Sequence, residues 1–372
     1  MSDATRRPVS AGRLGRAGRN RRALLALVPA GALLLAGCTG SPGPEVTASA
    51  TSTVTPSIDP SKDAVPPVPT VWPLTGEKVD AVAERPAISV KIENTSAARP
   101  QTGLEDADIV WEEIVEFDVP RFVATFHSKT PKEVGPIRST RPMDDDIAAP
   151  IGGALAFSGG QGGIVKKMKK AGLVTLSNDA GDGGFWRSSA RRAPHNVYGD
   201  VSKFLSQASK AKAPAETFRF AADAATATAA ASGKKATGVT TKMSSLARPA
   251  WKWSAEKKAY LRSEGSTAAK VASGAQISAT NVVLLDVKHK DSGYNAQGGT
   301  AVPDMTGKKG KGAVLQGGKF VEVTWTKDGV GAPFVLLDDK GAPVLLAPGN
   351  TWVELVPHTG SFTLTGVEKD AS

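Results

Sequence analysis

The sequence predicts a mixed α and β protein, of the α+β or mixed α/β class. An amino-terminal mixed-sheet domain with helices precedes a smaller, mostly β carboxy-terminal domain. Three observations predict this class. Short segments of alternating apolar and polar residues, typical of half-buried strands, recur from residue 87 onwards. A strand, a glycine-rich turn and an amphipathic helix follow one another over residues 155–171. Beyond residue 239, turn dipeptides such as Asp328-Gly329 separate the alternating segments.

Residues 1–37 have the pattern of an export signal. Seven arginines and a single acid, Asp3, accompany an apolar run from Ala23 to Gly37 that is too short and too broken by glycine and proline to span a membrane. Leu35-Ala36-Gly37-Cys38 resembles a bacterial lipobox, which predicts cleavage before Cys38 and lipidation of this single cysteine. The export route stays open, because Asn20 to Leu25 resembles a twin-arginine signal and the general secretory route is the alternative.

Removal of this signal changes the charge argument. The whole chain carries a formal net charge of +10, of which the signal supplies +6, so +4 remains on the mature chain. A charge this small does not indicate nucleic-acid binding, and we expect no nucleic-acid partner. The predicted location is the cell membrane, with the chain lipid-anchored on the extracytoplasmic face.

The chain after the signal divides by composition into five parts. Residues 38–70 are rich in Ser, Thr and Pro and predict a lipid-anchored, disordered linker with a mean reach of roughly 30 Å. Residues 71–218 form the predicted amino-terminal domain, and an Ala-rich connection covers 219–238, as a surface helix or an interdomain link. The mostly β domain covers 239–360 and a tail covers 361–372.

The elements of the first domain follow from hydrophobic period and from breakers. Strands are predicted where apolar residues alternate or run together between turn residues, and helices where the period is longer. Three acids at Asp144 suit the positive end of a helix dipole, and Gly172 ends the basic helix. The predicted strands are Ala87–Ile92, Ala107–Phe117, Arg121–Phe126, Leu155–Ser158 and Leu173–Leu176, and the predicted helices are Asp144–Ile151, Ile164–Ala171 and Tyr198–Ala211.

The second domain shows strand patterns and glycine turns, without a helical period. Its tryptophans, Trp251, Trp253, Trp325 and Trp352, are expected in the core of a small β domain rather than on a sugar-stacking face. The predicted strands are Trp251–Trp253, Ala259–Arg262, Asn281–Val287, Phe320–Thr326, Phe334–Leu337, Pro343–Leu346 and Thr351–Val356.

Arginines crowd around stiff turns at two places in the first domain. Arg138 and Arg141 lie beside Gly135-Pro136 and Pro142, and the stretch from Phe185 to Tyr198 interleaves three arginines and a histidine with aromatic residues. Arginine binds carboxylate or phosphate through two parallel hydrogen bonds, so these stretches predict a common anion site. The alternative, which we favour slightly, is a buried ion network in which Arg187 or Arg191 neutralises Glu112, Glu113 or Asp108. The predicted ligand-binding residues are Arg121, Arg138, Arg141, Arg187, Arg191, His195 and Asn196.

The evidence for catalysis in the sequence is weaker, and whether the protein is an enzyme stays open. His195 could act as a general base if Glu112 or Glu113 orients it, but no GxSxG nucleophile motif accompanies it. The turn over residues 159–163 matches neither GxGxxG nor the P-loop, so a plain close turn is preferred to a phosphate cradle. No spacing of His, Cys and acids predicts a metal site, and no cofactor is expected.

Several motifs together resemble the YerB-like lipoprotein family of bacteria, whose domain is known as domain of unknown function 3048. The resemblance covers the chain from about Trp72 to Pro357, and it departs from the family at Glu116-Phe117 and in the Ala-rich segment. The resemblance implies an amino-terminal α/β domain, a smaller carboxy-terminal domain and a lipid anchor, and it implies no activity. The motifs are Ala98-Arg99-Pro100-Gln101-Thr102-Gly103-Leu104, Ala107-Asp108-Ile109-Val110 with Glu112, Arg121-Phe122, Gly135-Pro136-Ile137-Arg138-Ser139, Arg141-Pro142, and Arg191 with Pro194-His195-Asn196.

Three functions are compatible with these patterns. The first is a lipid-anchored protein that binds an anionic ligand, such as a cell-wall polymer, or an envelope protein partner, through the Arg/His-rich site. The second is an envelope hydrolase or transferase that uses Glu112 or Glu113 with His195. The third is a structural interaction module whose polar motifs only stabilise the fold.

Overall fold

Eleven strands form one mixed sheet within residues 69–209, 211–294 and 301–367, which the computed structural model describes. The predicted signal peptide, the lipidation at Cys38, nearly all of the linker and the last five residues of the tail lie outside the described residues. The strands are β1 Ile88–Glu93, β2 Ile109–Ile114, β3 Pro120–Phe126, β4 Ala154–Phe157, β5 Val174–Ser177, β6 Phe185–Arg187, β7 Val197–Gly199, β8 Lys234–Lys235, β9 Gly238–Lys242, β10 Pro249–Ser254, β11 Ala259–Glu264, β12 Thr267–Ala268, β13 Ser278–Ala279, β14 Asn281–Val287, β15 His289–Asp291, β16 Ala301–Pro303, β17 Lys308–Gln316, β18 Lys319–Lys327, β19 Val335–Leu337, β20 Thr351–Pro357 and β21 Ser361–Thr365.

The large sheet joins strands from both predicted domains. Its order is β19-β18-β17-β14-β20-β2-β3-β1-β4-β5, with β8 paired to β18. β20 is parallel to both β14 and β2, so the late strand β20 lies between early and late parts of the chain. This pairing places Glu354 directly beside Glu112. The sheet therefore continues across the predicted boundary between the domains, and the boundary itself stays a prediction.

A six-stranded sheet packs against one face of the large sheet. Its order is β12-β11-β10-β9-β21, with β13 paired to β11. The predicted hairpin of Trp251–Trp253 and Ala259–Arg262 is confirmed as β10 and β11. Trp251 and Trp352 meet between the sheets with ring centroids 5.2 Å apart, and both are buried. Trp325 is buried in the core on the opposite face, as expected for tryptophans of a small β domain.

The mixed sheet is confirmed, but three of the four described α-helices are shorter than the segments predicted for them, so the helical part of the prediction is only partly correct. The described α-helices are α1 Asp144–Ala148, α2 Gly162–Lys170, α3 Val201–Gln207 and α4 Thr228–Ser232. Short 3-10 turns cover Ser96–Ala98, Leu104–Asp106 and Glu116–Asp118.

Two of the observed helices differ most from the ranges that the sequence predicts. The helix predicted from Tyr198 begins only at Val201, because residues 197–199 form β7 and the Asp200 carboxylate caps the backbone N–H groups of Ser202 and Lys203. The Ala-rich segment forms only the five residues of α4, since alanine alone provides little side chain to pack. None of the helices in the described residues is long and apolar enough to cross a membrane.

Candidate functional site

The carboxyl end of β1 brings most of the predicted site residues together. The backbone N–H of Glu93 donates to Pro136 O at 2.9 Å, and that of Arg138 donates to Lys91 O at 2.9 Å, so the segment carrying Arg138 runs along the end of β1. Ile137 in turn donates to Val197 O at 2.6 Å, which brings β7 and the residues before it to the same place. Side chains far apart in sequence therefore converge here.

Glu93 is the centre of this cluster. Its side chain is only 1% exposed, and Thr95 Oγ1 donates to its Oε1 at 2.8 Å. Nδ1 of His195 lies 2.9 Å from both carboxylate oxygens, and Nε of Arg138 lies 3.4 Å from Oε2. Arg138 also donates to Pro194 O at 3.3 Å, which holds the loop before His195 against the cluster. A single buried carboxylate thus orients one arginine and one histidine.

The imidazole of His195 reaches the surface. Its side chain is 28% exposed, and within the described residues its Nε2 makes no hydrogen bond. Because the Glu93 carboxylate only accepts hydrogen bonds, Nδ1 carries the proton and Nε2 is left as the acceptor in the neutral ring. The arrangement could therefore accept a proton from a bound molecule, or bind an anion once the ring is protonated.

The hairpin of β6 and β7 carries the second group of arginines. Nη1 of Arg187 donates to Asn196 Oδ1 at 3.0 Å, and Arg191 donates to Ala97 O at 3.0 Å and to Pro100 O at 2.6 Å. Arg192 is exposed. No carboxylate forms an ion pair with these three arginines within the described residues, and residues 183–199 contain no Asp or Glu. The loop therefore keeps its positive charge.

Arg121 and Arg141 share a different carboxylate. Arg141 makes a two-point ion pair with Glu116, through Nε at 2.6 Å and through Nη2. Arg121 lies 3.4 Å from Glu116 and donates to Ser139 O at 3.0 Å. Burial alone would raise the pKa of Glu116, but the hydrogen bond from Arg141 and the charges of Arg121 and Arg141 lower it to about 2. These two predicted ligand-binding arginines are therefore already neutralised, by an acid that the predicted ion network did not include.

The predicted pairing of His195 with Glu112 or Glu113 is wrong, because the carboxylate that contacts His195 is Glu93. Glu112 and Glu113 are fully buried and point to opposite faces of β2, since neighbouring strand residues alternate. Glu112 pairs with Arg262 at 2.7 Å, and Glu113 pairs with Lys91. Neither carboxylate reaches solvent, so neither can serve the proposed acid and base chemistry.

Glu112 and Glu113 thus pair with other bases than predicted, and Asp108 forms no ion pair with a base of the described residues. Asp108 accepts from the backbone N–H groups of His127 and Ser128, at 2.6 Å and 2.9 Å, and not from Arg187 or Arg191. Burial raises the pKa of Asp108. Lys91 contacts Asp144 at 2.7 Å as well as Glu113, and burial lowers its pKa to about 8. Sequence reasoning missed Glu93, although the polar residues Ser89, Lys91 and Glu93 share one face of β1, which is an unusual pattern for a buried strand.

The glycine-rich turn beside Arg141 has a steric explanation. A side chain at Gly160 would place its Cβ 2.7 Å from Cγ2 of Thr140, so the turn approaches its neighbour too closely for any other residue. A cleft of about 360 Å³ lies next to it and is lined by residues that include Arg141, Gln161 and Tyr294. The close turn explains the glycine, and a phosphate cradle stays a prediction.

Comparisons with known proteins agree with this fold. Residues 74–214 match the family model described as "Protein of unknown function (DUF3048) N-terminal domain", and residues 239–353 match the model of its C-terminal domain. The chain is 30% identical over 336 residues to "Putative lipoprotein YerB" of Bacillus subtilis (strain 168), covering 82% of this chain and 92% of that one. The crystal structure of the YerB protein from Bacillus subtilis superposes with a TM-score of 0.67 at 24% identity, over 79% of this chain and 99% of that one.

Proposed function

The chain belongs to the DUF3048 family of proteins of unknown function, and from this premise we propose that it is a lipid-anchored extracytoplasmic protein that binds an anionic ligand. The relative from Bacillus subtilis carries the name "Putative lipoprotein YerB". In this chain, Leu35-Ala36-Gly37-Cys38 matches the signal that a lipid anchor requires. The anchor would hold the folded part at the membrane through the linker of residues 38–70. The ligand would be an anionic cell-wall polymer or the acidic surface of an envelope protein.

A single observation carries the binding proposal: the arginines of the β6–β7 hairpin are positioned but not neutralised. Arg191 is fixed by two backbone carbonyl groups and Arg187 by a side-chain amide, so these groups orient the guanidinium ions without removing their charge. Arg192 is exposed beside them, and His195 lies a few residues further on. By contrast, Arg121 and Arg141 are paired with Glu116, and they support the fold rather than the ligand.

The positioned arginines favour a ligand with several negative charges along its length. Pre-oriented guanidinium groups lose little conformational entropy when they form paired hydrogen bonds with phosphate or carboxylate oxygens. The charges lie on an exposed loop, where salt screens them, so binding should weaken as ionic strength rises.

Titration of the mature chain with polyphosphate of defined length tests this proposal, with dextran as the uncharged control. We expect binding to polyphosphate but not to dextran. The variant R191A/R192A should bind polyphosphate at least about tenfold more weakly than the wild type. The matched control K169A/K170A removes the same charge from the exposed side of α2 and should bind as the wild type does. Equal affinity of both variants, or no binding to any polyanion, would overturn the proposal.

A further inference from the structure

Two loops at the end of the large sheet expose apolar side chains next to each other. Phe117, between β2 and β3, is 62% exposed, and Leu246, between β9 and β10, is 63% exposed. Among the other large apolar side chains of the described residues, exposure does not exceed 43%. We call residues 116–118 together with 242–248 the apolar tip.

Hydrogen bonds and a small buried cluster hold the two loops of the apolar tip in place. Ser244 Oγ donates to Asp118 O at 2.7 Å, and Ser245 Oγ donates to Asp118 Oδ2 at 2.8 Å, so the two loops are joined. Beneath them, Ile114, Met243 and Ala247 form a small buried cluster of their own. The exposed side chains therefore stand on a packed base and keep their mutual position.

The backbone at Phe117 presents its ring to solvent. Its φ is 61° and that of Asp118 is 59°, both in the left-handed region that a bulky residue rarely adopts. The residue before it, Glu116, is fixed by its ion pair with Arg141, and the residue after it by the two serines. Unfavourable backbone geometry that the surroundings enforce is typical of functional positions.

Charge at the tip favours an anionic surface. Lys242 and Arg248 are exposed at the edges of the tip, and neither forms an ion pair with an acid within the described residues. Of the two acids of the tip, Glu116 pairs with Arg141 and Arg121, whereas Asp118 accepts a hydrogen bond only from neutral Ser245, so two unpaired cations face one unpaired acid. A groove of about 570 Å³ is lined by residues of both loops, together with His289 and with Pro357 at the end of β20.

We propose that the apolar tip docks on the anionic lipid surface of a membrane, with Phe117 and Leu246 inserted among the lipids and Lys242 and Arg248 at the headgroups. An aromatic and an aliphatic side chain flanked by cations is the pattern of interfacial membrane contacts. The inference rests on the proposed lipid anchor only for the presence of a membrane nearby. Docking would fix the orientation of the folded part at the membrane.

Vesicle binding of the unlipidated mature chain, with Cys38→Ser, tests the tip without the anchor. We expect co-sedimentation with vesicles of phosphatidylcholine mixed with phosphatidylglycerol, and much less with phosphatidylcholine alone. The variant F117A/L246A should bind the anionic vesicles at least about tenfold more weakly than the wild type, since both apolar contacts are lost. The control V71A/V335A removes two other exposed apolar side chains and should bind as the wild type does.

Two further measurements separate this inference from the proposed function. F117A/L246A should keep the affinity of the wild type for polyphosphate, because neither side chain belongs to the β6–β7 hairpin. Failure of polyphosphate binding with intact vesicle binding would remove the anion proposal alone. No binding of the wild type to anionic vesicles, equal binding by F117A/L246A, or a self-associated form that these substitutions dissociate, would overturn the docking proposal.

Discussion

Two groups of arginine in this protein have opposite surroundings. Arg262, on β11, is fully buried between the sheets, where it lies 2.7 Å from Glu112, 2.8 Å from Glu264 and 3.4 Å from Glu354. Its guanidinium also lies within 5.4 Å of the rings of Phe122, Trp251 and Trp352. The β6–β7 hairpin instead exposes arginines that contact amide and carbonyl groups and no acid within the described residues.

The difference indicates what each group does. Three carboxylates around one buried guanidinium leave no capacity for a ligand, so the Arg262 cluster fixes how the two sheets pack. Arginines held by neutral groups at the surface keep their charge for a partner. The ratio of acids to arginines, and not the number of arginines, therefore distinguishes the structural cluster around Arg262 from the proposed binding site.

Removal of the Arg262 guanidinium should have the largest effect on stability. Above about pH 8, where Glu112 is ionised, Arg262→Ala leaves buried carboxylates without a counter-charge and should lower the free energy of unfolding by about 3–5 kcal/mol. Urea denaturation followed by tryptophan fluorescence at that pH measures this change. The triple variant R262M/E112Q/E354Q removes Arg262 and two of its three acids, while Glu264 keeps Arg99 at 3.1 Å, and it should recover much of the loss. An Arg262→Ala variant as stable as the wild type would contradict the assigned role.

The buried carboxylates should also make stability depend on pH. Burial raises the pKa of Glu112 to about 8 from 4.5, although Arg262 acts to lower it. The folded chain therefore holds this proton over a window in which the unfolded chain has lost it. The contribution of Glu112 to the free energy of unfolding is complete below about pH 4.5 and is lost as the pH rises towards about 8.

Glu112→Gln should flatten this dependence. The difference in unfolding free energy between about pH 5 and about pH 8 should shrink by on the order of 1–2 kcal/mol in the variant. Part of the pH dependence of the unfolding free energy should persist in the variant, because burial also raises the pKa of Glu354. Urea titrations at both pH values provide the measurement, and an unchanged slope would show that Glu112 does not carry the proton.

The exposed arginine should have the smallest effect on stability. Arg192→Ala should change the free energy of unfolding by less than about 0.5 kcal/mol, because the side chain is exposed and no acid pairs with it in the described part of the chain. The same urea denaturation tests this expectation. A loss comparable to that of Arg262→Ala would place Arg192 in the structural group and break the contrast between the two sites.

Local pattern predicted nine of the eleven strands of the large sheet, but only β10 and β11 of the six strands in the smaller sheet. Asn281–Val287 was predicted to the residue, and Phe320–Thr326 lies within β18, because alternation and flanking glycines act over a few residues. The convergence of Arg138 with His195 was also predicted, from stiff turns on both segments. The partner of His195 was missed, since Glu93 is far from it in sequence and only the pairing of segment 137–138 with β1 brings them together.

Neighbouring residues are enough to specify the alternation that makes the strands, the lipobox pattern at Cys38 and an arginine loop without acids. The pairing of each acid with its base depends instead on how distant strands come together. The parallel pairing of β2 with β20 places Glu112 beside Glu354 and Arg262, and the end of β1 gives Glu93 to His195. Such choices depend on strand order between segments hundreds of residues apart, which no local pattern specifies.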